Sequence, residues 1–319
     1  MQGFLNRLLF LMSAGIVLLD AAWLTAGRFS YDATGYETLF LLMLPLAAAG
    51  AFYGSVRKDE ALSSVLACSA FLIVFPAGSA LLSYLLVTIS GPRIDLTLAA
   101  ADRAIGFHWP ALMALVARYP KANEILKLAY LSVMPQTALL IFALGFGGKT
   151  AELYRLSLAL ALGAVITLAM WTMAPSFGAF SVYTLPDAVA GKLGLALGFD
   201  YGHDLVQMLK TGPGFISPKD LRGIVGFPSY HTLQAVMLMW YARTLRLWRW
   251  PAILLNLVVL VATPIQGGHH LVDMFGGAVV TLAAISLASR IVAAAERRAR
   301  TVPQSPDSQE LPPDYARAS

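Results

Sequence analysis

Apolar residues along this chain gather into long blocks separated by short polar or basic stretches. The blocks run roughly over 8–26, 37–54, 61–89, 124–145, 154–174, 229–246, 250–267 and 269–290. Most are about as long as a helix that crosses the hydrocarbon core of a bilayer, roughly 17–25 residues. The pattern predicts an all-α, polytopic membrane helix bundle of about eight transmembrane helices. The third block is long enough to tilt, or to kink near Pro76. The first follows Arg7 but contains Asp20 and lacks a small-residue cleavage site, so it reads as a retained helix rather than a leader.

The stretches between blocks orient the bundle. With the amino terminus in the cytoplasm, the inside loops carry VRKDE (56–60), GKTAELYR (148–155), RTLRLWR (243–249) and, after the last block, ERRAR (296–300). Each has two or more Lys/Arg in a short segment, as the positive-inside bias demands. The opposite face, periplasmic if the chain sits in a bacterial inner membrane, then receives residues 90–123 and 175–228. Residues 91–109 have helical amphipathic spacing and read as an interfacial helix with Asp95, Asp102 and Arg103 on its polar side and Trp109 as an anchor. Residues 174–215 mix Gly/Pro breaks with short helical segments, a lid over the outer face. The tail from about 301 is Pro/Ser-rich and reads as disordered cytoplasmic chain.

Composition agrees. The chain is 58% hydrophobic and 13% charged, whereas a soluble domain carries about 25% charged residues. The net charge of +5 sits at block ends, which argues against a nucleic-acid partner. One cysteine, Cys68, excludes an intramolecular disulfide and a cysteine metal cage.

Chemistry enters with the histidines, three of whose five occur in GFPSYHT (226–232) and GGHHLVDMFGG (267–277). The 38 residues between His231 and His269 suit two spans of about 17–18 residues and a turn, at 1.5 Å per residue. Both motifs therefore reach the outer face. Ser229 can cap the helix that follows it, leaving outward N–H groups where an anion binds. His231 beside that anion can protonate a departing alkoxide. His269 and Asp273, four apart, fall on one face if helical, and an aspartate on one ring nitrogen makes the other basic and well aimed. The same spacings also suit a plain cap and a structural His–Asp pair. His270 points away and reads as a packing residue.

FPSYHT…GGHHLVDMFGG resembles the second and third motifs, P-S-x-H and H-x-x-x-D, of the type 2 phosphatidic acid phosphatase superfamily. Tyr230 between Ser and His, the HH doublet and DRAIGFHW (102–109) resemble the branch containing inositol phosphorylceramide synthase. The resemblance covers roughly 90–290. It implies a six-helix catalytic core within 90–295, preceded by N-terminal helices over 1–89 and followed by a tail over 296–319. It also implies double displacement: His269 attacks phosphorus, Asp273 orients it, and His231 protonates the leaving alcohol and later activates the acceptor. No metal or cofactor is implied; the partners are a phospholipid donor and a lipid or water acceptor. The family arginine six residues before the nucleophile is Thr263 here, and no Arg-Pro dipeptide exists. Arg222, Lys210, Lys219 and Arg93 are the outer-face cations left to hold a phosphate, with Arg222 and the amides near Ser229 foremost. Rival readings are a proton-coupled transporter using the His/Asp set as a relay, and a metalloenzyme using His231, His269 and Asp273 as ligands.

Overall fold

A computed structural model describes residues 1–198 and 200–301. Among them are thirteen α-helices and no strand: α1 (Gln2–Gly27), α2 (Ala33–Ser55), α3 (Glu60–Leu86), α4 (Asp95–Ala104), α5 (Trp109–Val116), α6 (Pro120–Leu131), α7 (Val133–Phe146), α8 (Thr150–Met173), α9 (Asp187–Ala190), α10 (Asp200–Thr211), α11 (Tyr230–Ala242), α12 (Arg249–Gln266) and α13 (Leu271–Thr301). Every apolar block lies on a helix. Residues 302–319, the expected disordered tail, lie outside the described residues.

Six helices are long and apolar enough to cross a membrane: α1, α2, α3, α8, α12 and α13. The fourth block, read as one continuous helix, is α6 and α7, which together are long and apolar enough to make a seventh span but are bent by 46°. The cause is Pro135, which donates no N–H and whose ring crowds the carbonyl four residues back, at Leu131. The Ser132 hydroxyl turns back onto the Ala129 carbonyl at the break, 2.6 Å away. The sixth block yields only the 13 residues of α11, about 20 Å of helix at 1.5 Å per residue. This helix threads the middle of the bundle, packed by α7, α8, α12 and α13.

One apolar cluster runs through α1, α3, α7, α8, α11, α12 and α13, built on residues such as Leu9, Phe71, Leu156, Leu233 and Val259. At the other extreme α2 buries only Gly50 and leaves Leu41, Leu42 and Phe52 exposed. A helix apolar all round with one buried residue needs lipid as its solvent.

The expected interfacial helix departs from the sequence reading in three ways. It is two helices, α4 and α5. The polar side of α4 faces into the protein, with Asp95 1% and Asp102 2% exposed, while Leu96 and Ile105 are exposed. Trp109 is not an interfacial anchor: it is 1% exposed, donates its indole N–H to the Pro264 carbonyl at 2.8 Å, stacks on Tyr183 and meets the Phe180 ring edge-on. Buried carboxylates and an indole N–H are stable only with partners, and this end of the bundle supplies them.

The lid, 174–215, and the stretch that follows it to 228 are pinned at several points. The Tyr201 phenol donates to the Gly223 carbonyl, and its burial pushes the phenol well above its ordinary pKa, so it remains a donor. The Ala196 N–H donates to Gln266 Oε1 at 2.9 Å. The N-terminal helices hold the lid too: the Asp32 N–H donates to the Ile216 carbonyl, the Ile216 N–H to the Ser30 carbonyl, and the Ser217 hydroxyl to Asp32.

Trp109 therefore ties α5 to the end of α12. Trp109→Phe, which removes only the N–H···O bond, is expected to cost about 1 kcal/mol, and Trp109→Ala about 3–5 kcal/mol. Denaturant unfolding of the detergent-solubilised protein checks the order and the gap.

Candidate active site

Two helix starts meet side by side at the lid end of the bundle. The Ser229 N–H donates to the Asp273 carbonyl at 3.0 Å, joining the first turns of α11 and α13. The approach depends on Gly277, where a Cβ would stand 2.4 Å from the Ser229 carbonyl oxygen. Ser229 caps α11 as its sequence position predicts, its Oγ accepting from the Thr232 N–H at 3.3 Å.

His269 does not sit on α13, which begins at Leu271. The sequence reading put His269 and Asp273 one turn apart on a helix. Instead Asp273 lies in the first turn and its carboxylate reaches back over the helix start. Its Oδ2 accepts from the His270 backbone N–H at 2.8 Å, as an acidic residue at the third helical position does, and lies 3.3 Å from His269 Nδ1. The Gly226 carbonyl is 3.0 Å from the same nitrogen. Nδ1 thus faces two acceptors and must carry the proton, which leaves the lone pair on Nε2. Nε2 has one neighbour, the Ser229 hydroxyl, at 3.4 Å.

His231 stands across the gap, its ring centroid 6.4 Å from that of His269. Tyr130 supports it from α6: the rings stack at 4.1 Å and 13°, with the Tyr130 hydroxyl 3.3 Å from His231 Nδ1. Gly267 keeps the space between open, since a Cβ there would come 2.7 Å from the Tyr130 hydroxyl and 2.9 Å from His269 Cδ2. A capped helix start, an imidazole with a fixed tautomer and a second imidazole converge on one small volume.

A sequence model described as the PAP2 superfamily matches residues 96–287, more than half of the chain. The chain belongs to the PAP2 superfamily. Ser229, His231, His269 and Asp273 all fall within the match, which runs from α4 into α13 and leaves α1–α3 outside. Neither the curated proteins nor the solved structures gave a match. The PAP2 assignment gives the chain a fold of the phosphatase and phosphotransferase type.

Three residues around this cluster carry weight that the sequence did not reveal. Asp102 caps α13: its two oxygens accept from the Leu271 and Val272 N–H groups, each at 3.0 Å. His270, fully buried, lies against it with Nδ1 3.3 Å from Asp102 Oδ2, outside hydrogen-bond geometry. Asp95 organises the turn over Gly268, accepting from the Ser176 hydroxyl and the Phe177 and Gly178 N–H groups at 2.8–2.9 Å. Tyr130 is the third. All three lie far in sequence from what they hold, 81–83 residues for Asp95, 101 for Tyr130 and 169–170 for Asp102.

The expected cations are placed less favourably. Arg93 is committed to Asp95 at 2.8 Å and the Ser181 hydroxyl at 2.7 Å, with its guanidinium over Phe177. Arg222 is exposed with its guanidinium over Tyr201, and its backbone N–H donates to the Tyr84 hydroxyl. Lys210 and Lys219 are exposed. No contact brings Arg222, Lys210 or Lys219 to the histidine pair. Among the described residues no group of three or more His, Cys, Asp or Glu converges as metal ligands would. Cavities open between α1, α2 and α3 and do not touch the histidines; convergent chemistry, rather than empty volume, marks the site.

Asp102→Ala strands two buried helix-start N–H groups. It is expected to lower stability by roughly 1–3 kcal/mol and to loosen His269 with it, read as earlier denaturant unfolding.

Proposed function

We propose that the chain is a lipid phosphotransferase of the inositol phosphorylceramide synthase type, acting through a phosphohistidine. The observation that carries the reading is the placement of His269, whose Nδ1 lies between the Asp273 carboxylate and the Gly226 carbonyl and whose ring stands 6.4 Å from that of His231. Nε2 attacks phosphorus, an N–P bond forms, and the P–O bond to the donor's leaving alcohol breaks. His231 gives its proton to the departing oxygen. An acceptor hydroxyl then loses its proton to His231 as its oxygen attacks phosphorus and the N–P bond breaks. Asp273 holds the imidazolium-like charge that His269 gains. Helix-start N–H groups are natural donors to phosphoryl oxygens, which supports a role for those of α11 at Tyr230 and His231.

Charge supports a diester donor. A phosphomonoester carries nearly two negative charges near neutral pH and needs cationic partners, whereas a phosphodiester carries one. In this chain Thr263 replaces the family arginine, and its buried hydroxyl donates to the Val259 carbonyl. Arg93 is already paired. Tyr230 and the HH doublet add the branch resemblance. Water as acceptor would make the chain a lipid phosphate phosphatase.

The extent of the family match supports residues 90–295 as the catalytic unit, with α1–α3 an accessory module. The basic ends of the inside loops support cytoplasmic termini and a site on the opposite face, periplasmic in a bacterial inner membrane.

The test uses purified protein, a panel of headgroup-labelled phospholipids, and lipid alcohols as acceptors. Acceptor-dependent transfer of the label is expected, and acceptor-independent release of a water-soluble headgroup phosphate would make the enzyme a hydrolase. His269→Ala is expected to lose roughly 10³-fold or more in turnover. Unchanged turnover would remove His269 from the chemistry.

A further inference from the structure

Asp20 lies within α1, and about seven residues of helix separate it from the end at Gly27, roughly 10 Å at 1.5 Å per residue. It is 3% exposed and neither carboxyl oxygen has a protein partner. The neighbouring Tyr36 hydroxyl, on α2, is also buried without a partner. Both line a cavity of about 240 Å³ between α1, α2 and α3, whose walls are otherwise mostly apolar, with Leu24, Phe40 and Leu81 among them. Its outer rim carries Glu37 and Tyr31, and the Tyr31 and Tyr36 rings stand 6.5 Å apart. No Lys, Arg or His lines it.

An ionisable group inside a membrane helix is costly and is retained where something compensates it. Here the compensation does not come from the protein. Two acidic side chains, two aromatic faces and a hydrocarbon wall make complementary surroundings for a cation carried on an apolar chain. Asp20 lies roughly 10 Å from the end of α1 at Gly27, a distance that a charged head entering from that end can reach. The cavity also lies wholly outside the residues matched by the family.

We propose that α1–α3 form a second site, which takes an amphiphile headed by a protonated amine, with Asp20 accepting its N–H groups and Tyr36 completing the cage. The site is separate from the histidine pair and does not depend on the reaction assigned to it. A single apolar tail would run along α1 and α3 toward the bilayer.

The probes are n-dodecylamine and n-dodecanol, added to the full-length protein in a maltoside detergent, with bound ligand counted by native mass spectrometry. Wild type is expected to retain the amine at least tenfold better than the alcohol. Asp20→Asn, close in size but without charge, is expected to lose that preference. Ala77→Phe, which fills the cavity and leaves Asp20 intact, is expected to lose the bound amine as well. Equal retention of amine and alcohol by wild type would overturn the proposal, as would undiminished amine binding by Asp20→Asn. A monodisperse elution profile and an unchanged melting transition confirm that each variant is folded. Turnover of the lipid substrate, measured in parallel, keeps a failure here distinct from a failure at the histidines.

Discussion

The site depends on the close docking of two helix starts. The Ser229 N–H bonds the Asp273 carbonyl, and Gly277 allows the backbones to approach. This single contact sets α11 and α13 side by side, so that a histidine on one and a histidine just ahead of the other share a volume. Helix starts expose N–H groups that must be satisfied, and in a lipid-embedded bundle water does little of that work. Carboxylates do it instead. Asp102 caps α13 from outside, Asp273 caps it from within, and Asp95 ties down the turn above. Three acidic side chains are thereby spent on structure, and one of them, Asp273, also orients the His269 ring.

That arrangement explains why the rest of the chain looks as it does. α11 is too short to cross a bilayer alone, yet it sits at the centre because its first turn must reach α13 while α7, α8 and α12 enclose its apolar sides. α6 bends away from α7 at Pro135, and the bent segment carries Tyr130 onto His231. Trp109 and the lid close the end of the bundle over Gly268, with Arg93 drawn into that scaffold rather than left free for a ligand.

Much of this was legible in the sequence. Block length found six spanning helices, since lipid imposes a nearly uniform span, but two of the eight blocks expected to cross are a bent pair and a 13-residue helix. The motif spacing was enough to bring His231 and His269 to one end, because a hairpin of two spans returns the chain to its starting face. What stayed hidden has physical causes. Block length does not show a break where proline interrupts a ladder without interrupting hydrophobicity, as at Pro135. Amphipathic spacing shows that α4 has two sides but not which one faces protein, so Asp95 and Asp102 were assigned to the surface. Four-residue spacing suggested one helix face for His269 and Asp273, but the chain bends at Gly267–Gly268 and the pair forms across a helix start. Tyr130 gave no sign, because its partner is 101 residues away.

The proposed reaction makes a demand that turnover alone does not meet: with Nδ1 of His269 facing Asp273 and Gly226, the phosphohistidine it invokes is bonded through Nε2. The most direct measurement is to quench the protein in base during turnover of a headgroup-labelled phospholipid, digest it, and map the label by mass spectrometry, assigning the phosphohistidine isomer against standards. The account predicts a base-stable adduct on the peptide containing His269, bonded through Nε2. Label on His231 or His270, an Nδ1 isomer, or turnover with no covalent adduct in wild type would contradict it.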